Sequence, residues 1–282
     1  MFVILSNFNL TDFYILSLSL IFMIFLFFAG RSVTGAADLQ AIQIPVGMFL
    51  IYIFFIIGSV LITNFSTINV IIFLFILSII GVWRSKNTYT KDIQLLLLSF
   101  IFILPILIFG ILSHNYLWDD YTNWLPPARY LYQNKYLPTL NEPIINSVTS
   151  SYPYLRALTH SLINLPLSEF IMNIQVVQNI LFGSTLFLWA TPIANLINFE
   201  NKNYLKNKFF VMSSYLCLLF IIWVCILDWL LFSSYSEATY LILVIHTFLY
   251  LIFKINKCNK FKNGEFNFTL AILLTTPLMI KD

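Results

Sequence analysis

An apolar run near the start of the chain sets the fold class: residues 13–29 read FYILSLSLIFMIFLFFA, without a charged side chain. A helix needs about 20 apolar residues to cross the hydrocarbon core of a bilayer, so a run of this kind predicts a membrane span. No basic residue precedes the run, whereas a cleaved secretory signal begins with a positively charged segment. We therefore interpret the run as a span that is retained.

The composition of the whole chain also indicates a membrane protein. Its 282 residues are 60% hydrophobic, 18% aromatic and 10% charged, where a soluble domain has about 25% charged residues. This composition excludes an ordinary soluble domain and a disordered chain, and the net charge of +3 is too small to indicate a nucleic-acid partner. Cys217 and Cys225 lie in an apolar run and Cys258 lies in a lysine-rich segment, which is neither a disulfide framework nor a metal-ligand pattern.

Apolar runs between polar breaks along the whole chain predict an all-α, polytopic transmembrane bundle of about seven spans. Four spans (13–29, 44–62, 68–83, 93–112) precede one long loop (113–168), and three (170–197, 209–227, 238–253) follow it. A last apolar run at 268–280 is a short stub, because a full span needs roughly 20 residues. With no internal repeat, residues 1–282 form a single membrane domain. The stub leads us to expect a C-terminal continuation of the chain, or partner helices, without which the isolated 282-residue chain is expected to be inactive.

Positive charge sets the predicted orientation, because short cytoplasmic connections accumulate Lys and Arg. Of the 15 basic residues, 11 fall in alternate connections, which include Arg31, Arg84, Lys206 and Lys257, while eight of the 12 acidic residues fall on the opposite side. We therefore expect an integral protein of the plasma (inner) membrane. Its N-terminus and its long loop are expected to be extracytoplasmic.

The first half of the long loop carries two adjacent carboxylates, Asp119 and Asp120, in the stretch LWDDYTNWLPPARYLY at 117–132. Adjacent carboxylates repel each other, so one is expected to act as a proton acceptor near neutral pH; alternatively, both hold a divalent cation. The plainest alternative is an acidic helix end followed by a belt of interfacial aromatic residues.

A short interfacial helix is predicted directly after the carboxylates. Asn123 is a suitable N-cap, and a first turn tolerates proline. The side chains at amphipathic spacing are Leu125, Ala128, Leu131 and Tyr132.

The second half of the loop predicts another amphipathic helix, in the stretch SSYPYLRALTHSLIN at 150–164. Its leucines recur every three or four residues, and Arg156 and His160 lie four residues apart on another face. An arginine and a histidine near the headgroups are suited to bind a phosphate or diphosphate, because a guanidinium pairs with phosphate through two hydrogen bonds. The alternatives are that Arg156 contacts lipid headgroups and that His160 is solvated.

Taken in order, several short motifs resemble one family. They are the Asp119–Asp120 pair between Trp118 and Trp124, the sequence ARYL at 128–131, Tyr152–Pro153, the sequence YSE at 235–237, and the Lys281–Asp282 pair. From about residue 112 onward this pattern resembles the polytopic lipid-linked glycosyltransferases of the C superfamily, which include protein mannosyltransferase and aminoarabinose transferase types.

The resemblance implies an enzyme that takes a sugar from a polyprenyl-phosphate donor and transfers it to a glycan, lipid or protein on the extracytoplasmic face. It implies Asp119 or Asp120 as the residue that activates the acceptor, or as a ligand if the enzyme depends on a divalent metal. The residues then expected to contact substrate are Arg129, Tyr152, Arg156, His160 and Glu237. Its partners are the lipid-linked donor and membrane lipids, without nucleic acid.

Two other functions fit a chain of this class. A transporter or flippase would need polar residues that line a path through the spans, and such residues are scarce here. A non-catalytic scaffold is the other alternative. The concentration of polar and aromatic residues in one long loop favours a site in the loop.

Overall fold

The chain is all-helical wherever its structure is described. The computed structural model describes residues 10–34, 40–112, 125–138 and 155–170, with short stretches at 187–189, 244, 247–252 and 272–274. This part of the chain contains no strand, which confirms that the fold is all-α, as predicted.

Four long helices occupy the N-terminal part of the chain. They are α1 (Leu10–Thr34), α2 (Gln43–Leu61, entered through a 3-10 turn at Gln40–Ile42), α3 (Thr67–Arg84) and α4 (Tyr89–Leu112). Each covers one of the four spans predicted before the loop, although α2 ends one residue before its predicted span does. Three segments, α1, the continuous helical segment Gln40–Leu61 and α3, are long and apolar enough to cross a membrane, as expected of an integral membrane protein. The spans predicted after residue 170 lie largely outside the described residues, so the count of seven stays a prediction.

Helix α1 is longer than its apolar run. The run ends at residue 29, and the positive-charge pattern places Arg31 in the following connection. In the structure α1 continues to Thr34, and Arg31 is a buried residue of its last turn. The prediction that Arg31 lies in the connection is therefore wrong: Arg31 lies in the helix, where its buried charge pairs with Asp92 of another helix.

Helix α1 is central to the described bundle and packs against both α2 and α3. Two glycines set these distances: Gly47 of α2 faces the carbonyl of Leu26, and Gly81 of α3 faces the carbonyl of Phe28. A Cβ atom at either glycine would overlap the α1 backbone. Such close backbone approach at small residues is a usual way for membrane helices to pack.

Two shorter helices, α5 (Leu125–Asn134) and α6 (Leu155–Asn164), lie within the long loop, as predicted. Helix α5 packs against α6, and α6 also contacts α1, α2 and α3. The loop is thus folded onto the N-terminal helices through α6.

Contacts at the helix ends define two opposite ends of this bundle. At one end, Arg31 near the end of α1 pairs with Asp92 near the start of α4. At the other, the N–H of Thr67, where α3 begins, donates to the carbonyl of Lys135, just after α5, at 2.6 Å. This arrangement agrees with the predicted alternation of connections. Which end faces the cytoplasm stays a prediction.

Candidate functional site

Helix α5 has the amphipathic character that its sequence predicts. Leu125, Ala128 and Leu131 are buried, while Arg129 is exposed. The proline pair 126–127 lies in the first turn, where backbone N–H groups lack helical partners and proline therefore costs little. The sequence thus fixes which side of α5 faces the protein, and Arg129 lies on the outer side.

A left-handed residue ends α5 and joins it to the bundle. Lys135 has φ of 68°, and its N–H donates to the carbonyl of Leu131 at 2.9 Å, as at many helix C-termini. In this conformation its own carbonyl accepts the hydrogen bond from Thr67. The first N–H of α3 is thereby satisfied by the loop, and the end of α5 is fixed beside the start of α3.

Helix α6 is buried on several faces, in contrast to the prediction of an interfacial helix with an outward polar face. Its leucine stripe is buried as expected, but Thr159, His160 and Ser161 are also at most 1% exposed. The hydroxyls of Thr159 and Ser161 donate to carbonyls within α6, at 2.7 and 2.9 Å. The helix is enclosed because α5 covers one side of it and helices of the bundle contact another.

The rings and cation around Phe170 form the site that we call the Phe170 cluster: Arg129 and Tyr132 of α5, His160 of α6, and Phe170 itself. The ring centroid of Phe170 lies 5.0 Å from that of His160, 5.5 Å from that of Tyr132 and 5.7 Å from Cζ of Arg129. Arg129 and Tyr132 are three residues apart and therefore share a side of α5. The cluster thus joins both loop helices to the segment that follows α6.

Two hydrogen bonds hold the segment that carries Phe170. The N–H of Leu167 donates to the carbonyl of Asn164 at 2.8 Å, which folds the chain back at the end of α6. The Tyr132 hydroxyl donates to the carbonyl of Leu167 at 2.7 Å. Because Tyr132 both contacts the Phe170 ring and anchors the backbone three residues before it, α5 fixes the position of that ring.

The chemistry of the cluster combines an exposed cation with a buried imidazole. The guanidinium of Arg129 lies over the Phe170 ring at cation–π distance, and a guanidinium is also the side-chain group that pairs best with phosphate. His160 is 1% exposed, which contradicts the alternative of a solvated histidine. The cluster is therefore suited to bind an anion at its Arg129 side.

The other predicted site residues fall outside this description. Asp119, Asp120, Tyr152 and Glu237 are not among the described residues, and of Arg156 only its place on α6 is described. Of the predicted set, the structure brings together Arg129 and His160. Phe170 was predicted only as the first residue of a span, and no charge or motif in the sequence distinguishes it from the other 28 phenylalanines.

A second polar cluster, at the opposite end of the bundle, surrounds Asp92. Nη2 of Arg31 lies 3.2 and 3.3 Å from the two carboxylate oxygens, and both side chains are at most 1% exposed. The amide of Gln40 and the hydroxyl of Thr88 also donate to Asp92, the latter at 2.8 Å. The guanidinium of Arg31 lies 5.6 Å from the ring centroid of Phe27. We call this group the Asp92 cluster.

The Asp92 cluster is a joint between helix ends. Arg31 lies in the last turn of α1 and Asp92 in the first turn of α4, where each charge is favourable to its helix dipole. Nearby, Arg84 of α3 donates to the carbonyl of Ser32, one of the end carbonyls of α1 that lack a helical partner. The basic residues that predict orientation thus also hold three helices together.

No three His, Cys, Asp or Glu side chains of the described residues lie close enough to hold a metal ion. The carboxylates predicted as metal ligands lie outside this part of the chain, so that prediction stays open. Comparison of the chain with models of known protein families, with curated proteins and with solved structures finds no match.

Proposed function

We propose that this protein is a membrane glycosyltransferase that moves a sugar from a polyprenyl-phosphate donor to an acceptor glycan, lipid or protein on the extracytoplasmic face. The observation that carries the proposal is the Phe170 cluster. It brings Arg129 and His160, two residues expected to contact the donor, to one ring at the end of the bundle where the loop folds onto the helices.

The reaction needs two kinds of group, and the loop contains both. A sugar that leaves from a phosphate requires a cation on that phosphate, and the acceptor hydroxyl requires a carboxylate to take its proton. Arg129 and Arg156 supply the cations in this proposal, and Asp119 or Asp120 supplies the carboxylate. If the reaction uses a divalent cation, the same two carboxylates have the oxygen ligands it prefers.

The packing of α6 against other helices favours a donor site beside the loop helices. Helix α6, which carries Arg156 and His160, contacts three membrane helices as well as α5. Groups that bind a transition state are most effective when their support holds them in place before substrate arrives. Because α6 packs against the bundle, it can hold such groups in place for a donor that enters from the lipid.

The alternative of a transporter or flippase receives less support. That function needs polar side chains along a path between the two membrane faces. In the described helices the most prominent buried charges, Arg31 and Asp92, pair with each other at helix ends, and Gln40 and Thr88 also bind Asp92. Such a group connects helix ends and does not form a path across the membrane.

The function can be tested in membranes from cells that produce the protein together with any C-terminal continuation or partner helices, supplied with a panel of polyprenyl-phosphate sugars with and without a divalent cation. We expect transfer from at least one donor. Arg156→Ala should raise the KM for the donor more than that for the acceptor, and Arg156→Lys should rescue only in part because lysine lacks the two-pronged guanidinium.

Lys91→Ala is the matched control, since Lys91 is an exposed cation beside the Asp92 cluster at the opposite end of the bundle. It should leave both KM values unchanged. Absence of transfer from every donor, or equal effects of Arg156→Ala and Lys91→Ala on donor KM, would contradict the proposal.

A further inference from the structure

We propose that Phe170 is a positioning residue, which holds the guanidinium of Arg129 at the angle needed to meet the phosphate of the donor. This inference rests on the proposed function and deepens it, because it adds a residue that the charged motifs of the loop do not reveal.

The ring of Phe170 contacts two very different side chains. Cζ of the exposed Arg129 lies 5.7 Å from the ring centroid, and the centroid of the His160 imidazole, only 1% exposed, lies 5.0 Å from it. An arginine side chain on a helix surface has several rotatable bonds and loses rotamer freedom when it is fixed. Contact with a ring that is itself fixed restricts the arginine before the ligand binds, so that less rotamer freedom is lost on binding.

The ring is fixed by α5, the same helix that carries the arginine. Tyr132 contacts the ring at 5.5 Å between centroids and donates its hydroxyl to the carbonyl of Leu167 at 2.7 Å. Helix α5 therefore carries Arg129 and also fixes the ring over which the Arg129 guanidinium lies. Any shift of the 165–170 segment would change the contacts of the Phe170 ring with Tyr132 and with Arg129 together.

This geometry assigns separate tasks to the residues of the cluster. Arg129 provides the charge that meets phosphate, Phe170 sets the direction of that charge, and Tyr132 anchors the segment that carries Phe170. Loss of the ring should therefore weaken donor binding without a change in net charge. Replacement by another aromatic residue should preserve it.

The test uses the full chain in nanodiscs and two independent measurements. The chain has four arginines, so selective labelling with isotopic arginine gives a simple NMR spectrum in which Arg129→Lys identifies the Arg129 signal. An aromatic ring shifts the resonances of a group stacked on it. We expect Phe170→Leu to move the Arg129 side-chain signal and Phe170→Trp to retain a ring-induced shift, with the signals of Arg31 and Arg84 unchanged.

The second measurement is the affinity for a polyprenyl phosphate without sugar. Phe170→Leu should weaken binding about two- to fivefold, the size of an exposed cation–π contact, and Phe170→Trp should restore it. Phe75→Leu is the matched control, because Phe75 is an exposed phenylalanine of α3 whose ring contacts Phe25 and no member of the cluster. In the Arg129→Ala background, Phe170→Leu should cause no further loss.

The outcomes separate this inference from the proposed function. An Arg129 signal that Phe170→Leu leaves unchanged, or an equal loss of affinity in Phe170→Leu with and without Arg129, would overturn the positioning role while leaving the glycosyltransferase proposal intact. Failure of the wild-type chain to bind polyprenyl phosphate would refute the proposed function and the phosphate role of Arg129. The NMR spectra would still report whether Phe170 holds the guanidinium.

Discussion

Removal of one member of the Asp92 cluster should destabilise the protein strongly. In Asp92→Leu, the buried Arg31 guanidinium loses the carboxylate that lies 3.2 Å from its Nη2 atom. Removal of one partner from a buried ion pair costs about 3–5 kcal/mol. Arg31→Met should cost less, about 2–4 kcal/mol, because Gln40 and Thr88 still donate to Asp92.

The double variant distinguishes an ion pair from two separate packing effects. In Arg31→Met with Asp92→Leu both charges are gone, and replacement of a whole buried pair by apolar side chains is often close to neutral. Gln40 and Thr88 lose an acceptor, so we expect a net loss of about 1–2 kcal/mol, well below the sum of the single losses. The expected coupling energy is at least about 3 kcal/mol.

The assay is reversible unfolding of the full chain in mixed micelles by increasing SDS, followed by far-ultraviolet circular dichroism. Lys91→Met is the control, since Lys91 precedes Asp92 and is exposed, and it should change the free energy of unfolding by less than about 0.5 kcal/mol. Additive losses in the double variant would show that Arg31 and Asp92 do not interact energetically, and the account of the joint between α1 and α4 would be refuted.

Three further predictions concern the backbone and the topology. Lys135→Gly should raise the free energy of unfolding by about 0.5–1 kcal/mol because glycine relieves the left-handed strain, and Lys135→Val should lower it by at least about 1 kcal/mol; equal values in the SDS assay would exclude strain at this residue. Gly81→Leu should cost at least about 2 kcal/mol, since its side chain would overlap the carbonyl of Phe28, and an unchanged SDS midpoint would exclude the close helix contact. In intact cells, an impermeant thiol reagent should label a cysteine introduced at Thr139 but not one at Lys206; the reverse pattern would invert the orientation.

The helices before the loop could be predicted from sequence because apolar runs between polar breaks report directly on the membrane. The end of α1 could not, since Arg31 resembles a residue of a cytoplasmic connection when read alone. Its partner Asp92 is 61 residues away, and no local pattern reveals that their charges cancel. Sequence periodicity determines which residues share a helix face, whereas burial of charge depends on contacts between distant helices.

The site was predictable in a similar, partial way. The spacing of Leu125, Ala128 and Leu131 correctly predicts the buried side of α5, and therefore the outward place of Arg129. The burial of His160 could not be predicted, because the sequence of α6 has the pattern of a surface helix and only its packing against other helices encloses it. Phe170 has no local signature, since its role depends on contacts with two separate helices.

The most direct test of the central claim is the rate of sugar transfer by the wild-type chain compared with Asp119→Asn, Asp120→Asn and the double variant, at equal abundance in the membrane. If the protein is a glycosyltransferase, we expect the wild type to transfer sugar from a polyprenyl-phosphate donor. We also expect a loss of at least about 100-fold in one single variant and in the double variant, the scale of a lost acid–base group. Near wild-type rates in all three variants would contradict the loop-centred mechanism.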